Sequence, residues 1–455
     1  MLVRGAMVTA LLAALVGCSS NAGPSDGGAD GGGLGGGFDA GGSDGGGSDG
    51  GGSDGGGSDG GGSDGGTADA GACLGSALLG GLNKTTVLVG VTTESDATAG
   101  AVAWDVLYKY LAGGIFDSAA PCSSCASGCT SAGVSCANTG PPCGWWGCFQ
   151  DDTKPPGLYV TDFVSAAHGR NQVPMVTYYE LLQASGAGED ALVANANKLS
   201  LMSRYLADFR FMLQKFGAST AFVQVEPDFW GFAQQVNNDP TKIPAAVASA
   251  NPTDCGGQPN TIAGLGQCFI SMARKYAPNV RVGLHGSSFG PGVDATGNSD
   301  PSVDIAGEGR KLGNFLLAVG AGGGDFVTVD ASDRDAGYYL VVKGQNRGWD
   351  ATNATLPSFH QAFTWAKSLA ETVNKPILFW QVPLGNAAQN NTNNHWKDNR
   401  VDYFFAHTDE LAAAHVAGIF FGAGEKVQTT AETDGNNLIN KAKAYVARGG
   451  QRLCP

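Results

Sequence analysis

The sequence predicts an α/β fold, a closed barrel of seven or eight parallel strands, each followed by a helix. Three observations predict it. Apolar runs rich in β-branched and aromatic residues alternate with helical patterns from Thr85 to the C-terminus. Those runs are continuous rather than alternating, which suits strands covered on both faces. Finally, no GxGxxG follows the first run, which lowers the dinucleotide-binding, open-sheet alternative and favours a TIM-like barrel.

In chain order the strand candidates are TTVLVGVTT (85–93), VPMVTYYEL (173–181), TAFVQVEPDFW (220–230), RVGLHGSSF (281–289), DFVTVDASDRD (325–335), PILFWQVPLGN (376–386) and VAGIFFGAG (416–424). WDVLYKYLAGG (104–114) reads as an eighth strand or as part of a helix. Between them, 196–217 sets Leu199, Met202, Leu206, Phe209 and Leu213 at spacings of three or four. Segments 261–278, 360–374, 401–415 and 437–450 repeat the pattern, and the last stops at glycine.

Ahead of this domain (73–455) lie two segments of other character. Residues 1–18 carry Arg4, an apolar run and then LVGC. This reads as a secretory signal. Leu15-Val16-Gly17-Cys18 resembles a bacterial lipoprotein cleavage box, which implies that Cys18 becomes a lipidated N-terminus. Residues 19–72 repeat GGGSD and hold too little apolar surface to offset their conformational entropy. They read as a tether with a root-mean-square reach of roughly 40 Å. The expectation is an exported, lipid-anchored monomer at the bacterial cell surface or outer membrane.

The net charge is −14, of which the tether's nine aspartates and the leader's one arginine leave about −6 to the rest. No Lys/Arg cluster with interleaved aromatics appears, which argues against a nucleic-acid partner. After Cys18 ten cysteines remain, an even number that suits disulfides in an exported chain. Pairing of Cys73 with Cys454 would tie the domain's ends together, and Cys255 and Cys268 are close neighbours. The other six fall in 115–157, read as a disulfide-rich insertion in which Trp145 and Trp146 serve as packing. No HExxH or comparable metal spacing is present, His395 and Asp398 alone do not make a site, and no cofactor is expected.

The functional signal is where the polar residues fall. A parallel barrel places its active site at the C-terminal strand ends. The runs end in Tyr178 and Glu180; Glu226, Asp228 and Trp230; His285; Asp330, Asp333 and Asp335; Trp380, Gln381 and Asn386; and Glu425. Carboxylates among Trp and Tyr suit glycosidic cleavage, which needs a protonated acid and a second carboxylate. Glu226 and Asp228, at i and i+2, are expected on one side of their strand, one tuning the other. Asp228 is the expected acid with Glu226 beside it, and Asp333 is the expected partner. Trp230, Trp380 and Tyr178 would line the sugar path, while Glu180, His285, Asp330, Asp335, Gln381, Asn386 and Glu425 are further substrate-binding candidates. The bland reading of Glu226 and Asp228 is an ion pair with Arg334 or Arg281.

At Glu226-Pro227-Asp228 the chain resembles family-six glycoside hydrolases, whose strand-end motif is also Glu-Pro-Asp. The resemblance implies a distorted seven-stranded barrel with Asp228 as general acid. That family's Asp-Arg-Asp precedes the motif; here Asp333-Arg334-Asp335 follows it. The eight-stranded retaining glycosidases offer another template. With 104–114 counted as a strand, Glu226 falls on strand four and Gln381 stands where strand seven would carry the nucleophile. An amide cannot form the glycosyl ester, so either the mechanism is not that one or the protein is a barrel that binds a glycan without cutting it.

Overall fold

A computed structural model describes residues 73–92, 95–112, 157–182, 191–424 and 427–454, together with Trp146 and the backbone of 130–131 and 134–135. Cys18, the leader, the tether, most of the 115–157 insertion and Glu425 lie outside the described residues.

The eight-strand count is the correct one. The strands are β1 (Leu88–Thr92), β2 (Val106–Leu111), β3 (Val173–Tyr178), β4 (Ala221–Val225), β5 (Val280–His285), β6 (Phe326–Asp330), β7 (Ile377–Val382) and β8 (Val416–Phe421). All neighbours are parallel, and β1 closes the barrel by pairing with both β2 and β8. The ambiguous run 104–114 supplies β2, so the seven-stranded expectation drawn from the family-six resemblance does not hold. Within the insertion, Thr130–Ser131 and Val134–Ser135 pair as a two-stranded antiparallel ribbon.

Side chains alternate across each strand. Val106, Tyr108, Met175, Phe222, Phe326, Leu378 and Phe420 fill the barrel interior. Gly90 and Gly283 leave room there for the rings of Phe420 and Phe326, which a Cβ at either position would strike. The alternate residues, such as Val176, Val223, Val282, Val327 and Phe379, pack outward against the helices. That surround includes Leu199–Phe216, Ile262–Tyr276, Ile305–Ala318 and Phe359–Val373. Met202, Leu206, Phe209 and Leu213 are buried as their spacing predicts, whereas Leu199 begins its helix exposed. Helix starts follow the local chemistry: Ser358 and Gln361 form a reciprocal cap, and Thr261 and Asp304 accept from the first turn of theirs.

The lower end of the barrel is sealed by Leu78, Leu79 and Leu453. There Val87 N–H donates to Gln451 O at 2.8 Å and Leu453 N–H to Thr85 O at 3.1 Å. Cys73 and Cys454 form the expected disulfide, and Cys255 bonds Cys268. Trp146 is buried against Phe211, its indole N–H shared between the two oxygens of Asp208 at 3.1 and 2.9 Å, so it packs rather than presenting a sugar platform.

Candidate functional site

The C-terminal strand ends open into a cleft of about 710 Å³. Its floor and walls include Tyr110 from β2, Tyr179 after β3, Asp228 after β4, Asp330 and Asp333 from β6 and its loop, and Trp380 and Gln381 from β7. So five of the thirteen residues singled out in the sequence face one hollow: Asp228, Asp330, Asp333, Trp380 and Gln381.

Asp228 is half-buried, its Oδ2 3.4 Å from the Tyr179 hydroxyl and its Oδ1 3.4 Å from Ser287 Oγ. Asp330 is 28% exposed, and its Oδ1 lies 3.4 Å from His285 Nε2. Asp333 is more open and already engaged, accepting from the Arg334 guanidinium and the Tyr339 hydroxyl. Tyr110 donates to Gln381 Oε1. Burial raises the Tyr110 hydroxyl well above its ordinary pKa, and Tyr108, Tyr179, Asp228 and Asp330 add to the effect, so it stays protonated as a donor.

Glu226 does not share Asp228's side. Both residues take positive φ, 49° and 65°, which breaks the strand alternation on which that expectation rested. Glu226 turns away from the cleft toward Tyr205 on the helix Leu199–Phe216 and is 0% exposed. Its Oε1 accepts from the backbone N–H of Glu180 (2.9 Å) and Leu181 (3.1 Å) and from the Tyr205 hydroxyl (2.7 Å). Oε2 meets no partner. Burial pushes this carboxyl up to about 7 despite the three donors. The ion pairs suggested with Arg281 or Arg334 do not form at Glu226.

Other expectations are also corrected. Tyr178 faces the helix layer, donating to Asp208 Oδ2 at 2.8 Å. Trp230 is wholly buried, its indole N–H on Val225 O at 3.0 Å and its ring against Phe229 and Phe269. Glu180 is buried beside Glu226 and away from the cleft. Asn386 is spent on a turn, accepting from Ala388 N–H and donating to Asp434 O. Asp335 is buried under Gly385 and Thr429, whose backbone N–H groups it accepts at 2.8 Å each. Burial, then the charge of Asp398, moves it up to about 7. His285 is buried just below the floor.

The sequence reading missed Tyr110, Asp294, Arg347, Trp349 and Arg400, which line the cleft; Arg347 pairs with Asp294 at 3.0 Å and Arg400 with Asp398 at 2.7 Å. The Arg400 guanidinium also stacks 4.5 Å over Trp349. Tyr110 was visible as the tip of the ambiguous run; the others lie on connections with no strand to mark them. Among the described residues no cluster of three His, Cys, Asp or Glu could hold a metal ion.

No family model and no curated protein matches the chain. The chain is also similar to several solved structures. An endo-β-1,4-mannanase from Cellulomonas fimi is 12% identical over 82% of this chain and 73% of its own, with a TM-score of 0.42. A xyloglucan-specific endo-β-1,4-glucanase from a metagenomic library is 9% identical over 77% and 86%, at 0.41. An endoglucanase from Mycobacterium tuberculosis is 11% identical over 62% and 80%, at 0.31. Likeness at this level carries no information about chemistry, which is read from the cleft's side chains alone.

Proposed function

We propose that the domain hydrolyses glycosidic bonds of a polysaccharide, with Asp228 as the acid and Asp330 as the base. The observation that supports the reading is that Asp228 and Asp330 face one cleft from β4 and β6, with aromatic Tyr110, Tyr179 and Trp380 between and around them. Asp330 is preferred to Asp333 because an arginine and a tyrosine hydroxyl already occupy Asp333. Strands two positions apart stand roughly 9–10 Å apart. That favours the wider carboxyl spacing of inverting enzymes, about 6.5–9.5 Å, over the retaining spacing of about 5–5.5 Å. In the step itself Asp330 takes a proton from water and the water oxygen bonds to the anomeric carbon. The glycosidic C–O bond breaks, and Asp228 passes its proton to the departing oxygen.

The test is release of reducing ends from a glycan panel by the purified protein, with the product anomer read by NMR. Asp228→Asn and Asp330→Asn should each lower turnover by about 10²–10⁴-fold. A wild-type protein that binds a glycan and releases nothing rejects hydrolysis. It would favour a surface glycan-binding barrel, a reading supported by Gln381 at the end of β7 and by Glu226 turned away from the cleft. The same proposal includes lipid anchoring at Cys18 in the cell envelope. Palmitate labelling in cells, abolished by Cys18→Ser, tests it.

A further inference from the structure

Just below the cleft, four consecutive strands turn polar side chains into the barrel: Thr177 from β3, Gln224 from β4, His285 from β5, and Thr328 and Asp330 from β6. The first three are completely buried. A polar layer there costs stability unless its members satisfy one another, and the bonds they make run in one direction. Thr177 Oγ1 donates to Gln224 Oε1 at 3.3 Å, which fixes the amide so that its Nε2 faces His285. Gln224 Nε2 then donates to His285 Nδ1 at 3.0 Å. The Thr328 hydroxyl lies 3.4 Å from the same nitrogen. An Nδ1 that accepts leaves the ring proton on Nε2. That Nε2 is buried without a hydrogen-bond partner, and Asp330 Oδ1 lies 3.4 Å from it, outside hydrogen-bond geometry in this structure. The Trp380 ring, edge to face at 5.6 Å, braces the imidazole, and Trp380 is the cross-strand partner of Asp330.

We propose that His285 is a positioning residue for Asp330, locked by Thr177 and Gln224 as the neutral tautomer with its proton on Nε2. The Nε2–H holds Oδ1 and leaves Oδ2 to the water in the cleft. The opposite tautomer would set a nitrogen lone pair against the carboxylate. A contact of 3.4 Å is of the kind that tightens when substrate fills a site. The catalytic consequence rests on the hydrolytic reading of the cleft; the tautomer and its hold on Asp330 do not.

Nitrogen-15 NMR of the histidine rings in the full protein separates the two. Only six histidines are present, and His285 is assigned by its loss in His285→Gln. The expected spectrum has a bare Nδ1 and a protonated Nε2. Gln224→Glu, nearly isosteric, should draw the proton to Nδ1. It should lower kcat roughly 100-fold with KM within about twofold. His285→Gln, which keeps an N–H where Nε2 stands, should hold kcat within about tenfold, and His285→Leu should lose roughly 100-fold. The Asp330 carboxyl carbon resonance should move in His285→Leu and stay in His285→Gln. A wild-type His285 protonated on Nδ1 overturns the proposal, as does a His285→Leu enzyme equal to His285→Gln. If the wild type cleaves no glycan, hydrolysis fails alone, and the ring nitrogens and the Asp330 resonance still decide for or against the positioning role.

Discussion

Replacing Glu226 by glutamine should stabilise the protein in alkaline solution and do little in acid. The carboxyl is fully buried, and its pKa is raised from 4.5 to about 7. A carboxyl that is harder to ionise in the folded state than in the unfolded chain adds nothing unfavourable below pH 4.5, where both states are protonated. As pH rises from about 4.5 the unfolded chain sheds its proton first, and stability falls until, above about 7, both states are ionised. The loss amounts to about 3 kcal/mol, most of it incurred between pH 5 and 8. Glutamine keeps an oxygen for the Glu180 and Leu181 N–H groups and the Tyr205 hydroxyl, and puts an NH₂ where Oε2 has no partner. At pH 5 the variant's advantage should therefore be under about 1 kcal/mol, because the folded wild-type carboxyl is largely protonated there and only the unfolded chain has begun to ionise. At pH 8 the variant should be more stable by about 2–3 kcal/mol. Asp335, also raised to about 7, contributes its own fall in the same range to both proteins and cancels in the comparison. A wild-type-to-variant difference that does not change between pH 5 and 8 would refute the buried, uncharged carboxyl.

Other outcomes follow from the same geometry. Trp380→Ala should weaken glycan binding in calorimetry by about tenfold beyond the loss of about 3–5 kcal/mol in denaturant that its burial implies, while Trp230→Ala should cost a similar amount in denaturant and affect binding only through stability. Asp398→Asn leaves the Arg400 guanidinium, 1% exposed, without its carboxylate. It should destabilise by about 3–5 kcal/mol by urea titration. Converting both Cys73 and Cys454 to serine should remove about 2–5 kcal/mol. Turnover at low temperature should be unchanged, because the cross-link closes the end of the barrel away from the cleft.

The layout of the barrel was legible because buried parallel strands are apolar on both faces, and seven such runs stand out between helical patterns. The eighth was not, since LYKYL in β2 places Lys109 and two tyrosines in a strand. Locating the cleft from strand ends worked for Asp228, Asp330, Asp333, Trp380 and Gln381, all of which line it. Deciding which side chain at a strand end faces the hollow did not. Tyr178 and Tyr179 are adjacent and face opposite ways, and composition does not set that parity. At Glu226, Asp228 and Gln381 the backbone takes positive φ, so even correct parity would have misplaced Glu226 and Gln381. Asp335 and Asn386 sit at strand ends for another reason: the loops above the barrel need buried acceptors for their own N–H groups.

The bond between Cys73 and Cys454 turns everything between them into a covalent ring of main chain. Such a ring offers no loose end from which unravelling can start, and a single protease cut in a surface loop opens it without releasing a fragment. New termini could then be placed in one of the outer loops by permuting the gene, with the old ends already fastened side by side.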